Sequence, residues 1–199
     1  MSQLRVIVRV MVPEPNSDQR QMDRMKSIEW SRQLLENPDS WCIIDTETTG
    51  LKPRYSRIVE ISIFSGRGEI VFDSLIDPGV PIPQEVAAIH GISDELVVGS
   101  PSMTQAWLEL QEVTQDKLLL AYNSSFDRGM LFYEAIRNDL PKLKSDWDCV
   151  MVKYSAFVGI WNSRFGNYQY QKLPSAGHRS NIDCKVTLDL VRLMGESQS

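Results

Sequence analysis

The chain has 199 residues, 42% of them apolar, which is enough to bury one substantial core and too few for several domains. Its 26 acidic and 21 basic residues leave a net charge of −5. That excludes a protein that coats nucleic acid through bulk positive charge, but leaves room for a local basic groove or a cation-filled acidic site.

No apolar run approaches the roughly 18 residues that cross a bilayer, and Arg5 and Arg9 interrupt the opening MSQLRVIVRV. A soluble cytoplasmic protein with no membrane partner is expected. Cys42, Cys149 and Cys184 are odd in number and widely spaced, with no CxxC pair, and are expected to be reduced and buried.

In chain order, residues 4 to 12 alternate in part like a strand, which Pro13 and Pro15 would end. Asp18 with Gln21 suggests a capping box opening a helix marked by Met22, Met25, Ile28 and Leu35, with a stop at Asn37-Pro38. Residues 1 to 40 thus form an expected strand-and-helix extension packed on a core of residues 41 to 196, and could instead dock a protein partner. Strand candidates follow at Trp41 to Thr46, Ile58 to Phe64 and Glu69 to Ile76. Ser65, Gly66 and Gly68 join the last two, so an antiparallel meander is expected. A Pro-rich stretch leads to short helical pieces and a helix near Ser102 to Val113, and Leu118 to Tyr122 reads as a buried strand. Phe126, Met130, Tyr133, Ile136 and Leu140 mark a helix stripe, and a last helix is expected from about Asn181 to Met194. Three strands followed by alternating helices and strands predict a mixed α/β sheet.

Four acids stand out against this frame. Asp45 and Glu47, two apart on a strand, share a face at its carboxyl end, where a hard divalent cation would offset their repulsion; the plainer reading is a solvated turn. Asp127 falls in the first turn of a helix, beside the apolar stripe, where it would also suit the helix dipole. Asp183 follows His178 by five residues, and Ser180 with Asp183 equally fits a capping pattern. Five helical residues subtend about 140°, so His178 is expected on the loop before the helix.

DTETTG, NSSFD and the H-x4-D spacing together resemble, in order, the three motifs of the DnaQ-like DEDDh 3′–5′ exonuclease family. The resemblance runs from Trp41 to Met194 and includes IHGIS, Ile89 to Ser93. It implies a ribonuclease H-like fold, a mixed five-stranded sheet flanked by helices. It also implies two divalent cations, Mg²⁺ or Mn²⁺, with Asp45 bridging both, Glu47 and Asp183 holding the one nearer the attacking water, and Asp127 supporting the other. His178 would take the water's proton, a task that suits imidazole, whose ordinary pKa is about 6.5. His90 would help seat the terminal nucleotide with Thr48, Leu51 and Asn123 as neighbours, or would be simply a turn histidine.

The expected substrate is nucleic acid with a 3′ end, single-stranded or frayed DNA above all. RNA trimming, or a catalytically silent binding module of the same fold, are the alternatives. The stretch before His178, QKLPSAG, is shorter than in many relatives and puts the placing of that histidine in question. Aromatic residues from Tyr154 to Tyr170, interleaved with Lys153, Arg164 and Lys172, could stack bases or cover the sheet.

Overall fold

The computed structural model describes residues 12–174 and 177–198. Apart from Val12, the strand expected over residues 4 to 12 lies outside them. Helix α1 (Ser17–Glu36) starts earlier than the Asp18 signal suggests, because Asn16 is the cap: its side-chain oxygen accepts the Gln19 N–H at 2.8 Å. Asn caps as well as Asp does, and Asp18 is then left in the first turn, where it complements the dipole.

A turn over Pro38–Ser40 leads into β1 (Trp41–Thr48), which pairs antiparallel with β2 (Ile58–Ser65), and β2 with β3 (Ile70–Leu75). Three helices follow, α2 (Gln84–His90), α3 (Asp94–Val97) and α4 (Met103–Thr114), the last opened by a capping box between Ser102 and Gln105. Gly91 closes α2 in the left-handed conformation at φ 74°, which lets its N–H reach the Ala87 carbonyl and turns the chain directly after His90. Strands β4 (Leu118–Ala121) and β5 (Trp147–Cys149) then pair parallel on the far side of β1, with α5 (Ser124–Arg137) between them. The order β3-β2-β1-β4-β5 is the mixed five-stranded sheet that the resemblance implied. The chain ends in α6 (Val150–Val158), a small hairpin of β6 (Trp161–Asn162) and β7 (Asn167–Tyr168), and α7 (Ser180–Glu196).

Alternation along β1 divides the core between the two faces of the sheet. Cys42 and Ile44, with Ile61 and Ile63 of β2, pack against Trp107 and Leu110 of α4 and Met130 and Leu131 of α5. Trp41 and Ile43, with Phe64, pack against Ile28 of α1, Val150 of α6 and Leu188 and Val191 of α7. The buried face of α5 is Asp127, Met130, Leu131, Glu134 and Ala135, while Ile136 is exposed and Tyr133 only half-buried. The expected stripe is therefore rotated, and Asp127 lies on the sheet-facing side and not beside it. Of the cysteines, all free, Cys42 and Cys184 are buried and Cys149 is half-buried.

Helix α1 approaches α7 closely. The Ser31 hydroxyl donates to the Val191 carbonyl, and a side chain at Gly195 would meet Leu35 at 2.6 Å. Ile28, 0% exposed, is the apolar anchor of this contact. Ile28→Ala is expected to cost about 2 to 5 kcal/mol by removing buried methylenes and leaving a cavity, read from urea melts.

The aromatic stretch serves the same layer. Trp161 meets Tyr168 edge-on at 5.4 Å, the Tyr168 hydroxyl donates to Asp23 of α1 at 3.0 Å, and Arg24 lies 3.7 Å over the Phe157 ring. These side chains join the hairpin and α6 to α1, which favours the packing reading, and Phe165 and Tyr170 are the exposed aromatics of the segment. Among the described residues, no helix is long and apolar enough to cross a membrane.

Candidate active site

Pairing between β1 and β4 stops at Ile43, so β1 continues past its parallel neighbour and carries Asp45 and Glu47 beyond the carboxyl end of β4. In sheets of this kind that end is where ligands sit. Both acids continue the face of Trp41 and Ile43, turned toward α7, and Asp183 comes from the first turn of α7 to meet them. One carboxylate oxygen from each of Asp45, Glu47 and Asp183 lies within 4.8 Å of the others. Hard oxygen donors so gathered fit a divalent cation of the Mg²⁺ or Mn²⁺ type.

Asp127 arrives from the opposite face. It is 3% exposed on α5, and its Oδ1 accepts the hydroxyl of Thr46, the β1 residue that points away from Asp45 and Glu47, at 2.8 Å. It stands outside the three-acid cluster but close enough to raise the proton affinity of Asp45. Ser180, offered above as a cap for its own helix, instead bonds the Ser62 hydroxyl at 2.6 Å, so the capping reading of Ser180 and Asp183 fails.

A cleft of about 650 Å³ opens beside the acids, walled by Glu47, Thr48, Leu51, Tyr55, Ile89, His90, Phe126 and His178. Leu51 and Tyr55 are 87% and 74% exposed on its rim. Thr48 is buried, and its hydroxyl donates to the Gly50 carbonyl at 2.8 Å, shaping the turn that carries Leu51. His178 lies on the loop before α7, exposed and lining the cleft. The Nδ1 of His90 accepts the Ile92 N–H at 3.0 Å, which puts the proton of the neutral ring on Nε2. That buried Nε2 makes no hydrogen bond among the described residues. The Thr48 carbonyl lies near the ring, and burial lowers its proton affinity. Asn123 sits exposed before α5, accepting the Ser125 hydroxyl at 2.9 Å, and Phe126 takes the expected place of Asn123 on the cleft wall.

Glu60 is a further acid that the sequence reading passed over. It stands opposite Glu47 in the β1–β2 register and is 2% exposed.

Desolvation, followed by repulsion from Asp127, Glu47 and Asp183, pushes Asp45 far above the usual carboxylate range. Glu47 is raised from 4.5 to about 8 by burial and by Asp183, and Asp127 is raised chiefly by burial. Without cations, the folded state therefore holds protons that the unfolded chain has released, between the ordinary carboxylate range and about pH 8 for Glu47. Native stability should fall as pH rises through that window, by a few kcal/mol at most for Glu47, and Mn²⁺ should flatten the slope. Thermal melts in EDTA and in Mn²⁺, from about pH 5 to about pH 9, measure it. Equal slopes in the two series would contradict the electrostatic account.

The family model described as Exonuclease (RNase_T) matches residues 42–191. This chain belongs to the DnaQ-like exonuclease family. The exonuclease is 31% identical over 170 residues to the uncharacterized exonuclease CP81 of Escherichia phage 186, a match covering 77% of this chain and 87% of the phage protein. It is 36% identical over 110 residues to the PolC-type DNA polymerase III of Streptococcus mutans, which takes in 54% of this chain and only 8% of that polymerase. Among solved structures, Exonuclease X in complex with 5′ overhanging duplex DNA is 29% identical, with a TM-score of 0.55 over 79% of this chain and 92% of that one. The nuclease domain of 3′hExo, a DEDDh family member bound to rAMP, shares the fold at a TM-score of 0.62 and 18% identity, over 81% of this chain and 94% of that one.

Proposed function

We propose that this exonuclease hydrolyses phosphodiester bonds from the 3′ end of single-stranded or frayed DNA and releases nucleoside monophosphates. The observation that carries the reading is the convergence of Asp45, Glu47 and Asp183 at the mouth of a cleft that also presents His178. Asp45, Glu47 and Asp183 would hold one divalent cation, with Asp127 and Asp45 toward a second. Such a pair, when bound, activates water and neutralises charge on the phosphoryl oxygens.

The chain's own residues do the rest. Leu51, Tyr55 and Ile89 offer apolar surface to a terminal base that has left its stack. His90 presents its Nε2–H as a donor that a nucleotide oxygen can accept. Thr46 fixes the Asp127 carboxylate by its hydroxyl. His178, on the solvent side of the cleft, takes the proton of the attacking water and passes it to bulk solvent. The likeness to Exonuclease X in complex with 5′ overhanging duplex DNA supports DNA as the substrate class.

The test is a set of oligonucleotides labelled at the 5′ end, as single-stranded DNA, duplex DNA and RNA, incubated with Mg²⁺, Mn²⁺ or EDTA. A ladder shortening from the 3′ end of single-stranded DNA, absent in EDTA, is expected. Release of the 5′ label as a mononucleotide would overturn the polarity. Cleavage of RNA with DNA spared would move the substrate class, and binding without turnover would leave a silent module.

A further inference from the structure

We propose that Glu60 and Arg179 are a positioning pair that clamps the first turn of α7 to β2, setting His178 and Asp183 against the carboxylates of β1. This rests on the exonuclease reading of the site. Cross-strand partners project to one face, so Glu60, opposite Glu47, and Ser62, opposite Asp45, both point toward α7. A buried acid beside the three clustered carboxylates adds repulsion to a cluster already crowded, and calls for a compensating partner.

Arg179 supplies it. Its Nε donates to the two Glu60 oxygens at 2.9 and 3.1 Å, and a second guanidinium nitrogen donates to Oε1. The Ser180 N–H donates to Oε2 at 2.9 Å. One step along β2, the Ser62 hydroxyl meets the Ser180 hydroxyl at 2.6 Å, and the Ser62 carbonyl accepts from the Cys184 thiol at 3.3 Å. The strand thus grips α7 at residues 179, 180 and 184, flanking His178 on one side and bracketing Asp183. Both Glu60 oxygens are engaged by Arg179 and the helix terminus, so Glu60 acts as an anchor and not as a cation ligand. A guanidinium suits this task because its planar fork fixes direction as well as charge, which an ammonium does not.

The experiment compares wild type, Arg179→Gln, Arg179→Lys, Glu60→Gln and the double Arg179→Gln/Glu60→Gln variant. Each is assayed for kcat and KM on single-stranded DNA well below its Tm, and for the rise in Tm that Mn²⁺ produces. A positioning role lowers kcat about 10- to 100-fold in each neutralised single variant, with KM within about threefold of wild type. Arg179→Lys restores only part of the rate, and the double variant is no slower than the slower single, because the two residues act as a unit. The Mn²⁺ shift should shrink in the variants. A kcat within about threefold of wild type after correction for folded fraction, or losses that multiply in the double variant, would overturn the pairing. If the neutralised variants do not fold, a wild-type kcat in Arg179→Lys overturns it. If wild type itself turns nothing over, the exonuclease reading fails instead, and an undiminished Mn²⁺ shift in Arg179→Gln decides against the clamp.

Discussion

Asp45→Asn is expected to slow the exonuclease by about three powers of ten or more while making the metal-free protein harder to unfold. The rate loss follows from the position of Asp45, close to Glu47 and Asp183 on its own face and to Asp127 across the strand. Weakening cation binding there removes several kcal/mol of transition-state stabilisation, and each 1.36 kcal/mol is about a factor of ten in rate. The stability gain has the opposite origin. An amide of the same shape keeps the packing and removes the charge on which burial and the four neighbouring acids act. Turnover of single-stranded DNA and urea melts in EDTA near pH 8 measure both effects. A variant that keeps its rate, or that is destabilised in EDTA, contradicts the assignment.

His178→Ala should lower kcat by about 10²- to 10⁴-fold with the fold and the cation affinity retained, because a proton acceptor is lost and the acids are untouched. The histidine is exposed and lies in the loop before α7, so truncation creates no cavity in either core layer. The variant's rate should keep climbing with pH where the wild-type rate levels off, as hydroxide takes over from the missing base. A variant profile matching wild type in shape and height would mean that His178 stands idle and water is activated without it. The short QKLPSAG stretch makes that comparison decisive for this chain.

The sequence discloses those parts of the site that depend on periodicity alone. Asp45 and Glu47 share a face because side chains two apart on a strand must, and the meander succeeded by strand-helix units predicts a mixed sheet. Asp127 was harder to place, since the helix stripe drawn through Tyr133 and Ile136 is apolar in composition but half outside the core, and the buried face includes Glu134 and Asp127 themselves. Glu60 escaped notice as one acid in the apolar run IVEISIFS. Its only signal was the burial of a charge in a strand covered on both faces, which calls for a partner but does not say that the partner is Arg179. Strand β5, with three residues, and β6 and β7, with two each, have no periodicity to detect; pairing with neighbours defines them. The exchange of Asn123 for Phe126 at the cleft depends on the rotation of α5, which spacing does not fix.

The carboxylates reach the end of β1 from both layers of the sandwich, and this governs when the cluster is complete. Asp45 and Glu47 are made early in the chain, Asp127 enters with α5 from one side, and Asp183 is delivered by α7, the last helix, from the other. A polypeptide interrupted before residue 180 holds all five strands of the sheet and only two of the three clustered acids. The three-carboxylate cluster is thus incomplete until α7 docks on β1 and β2, however much of the sheet has already paired.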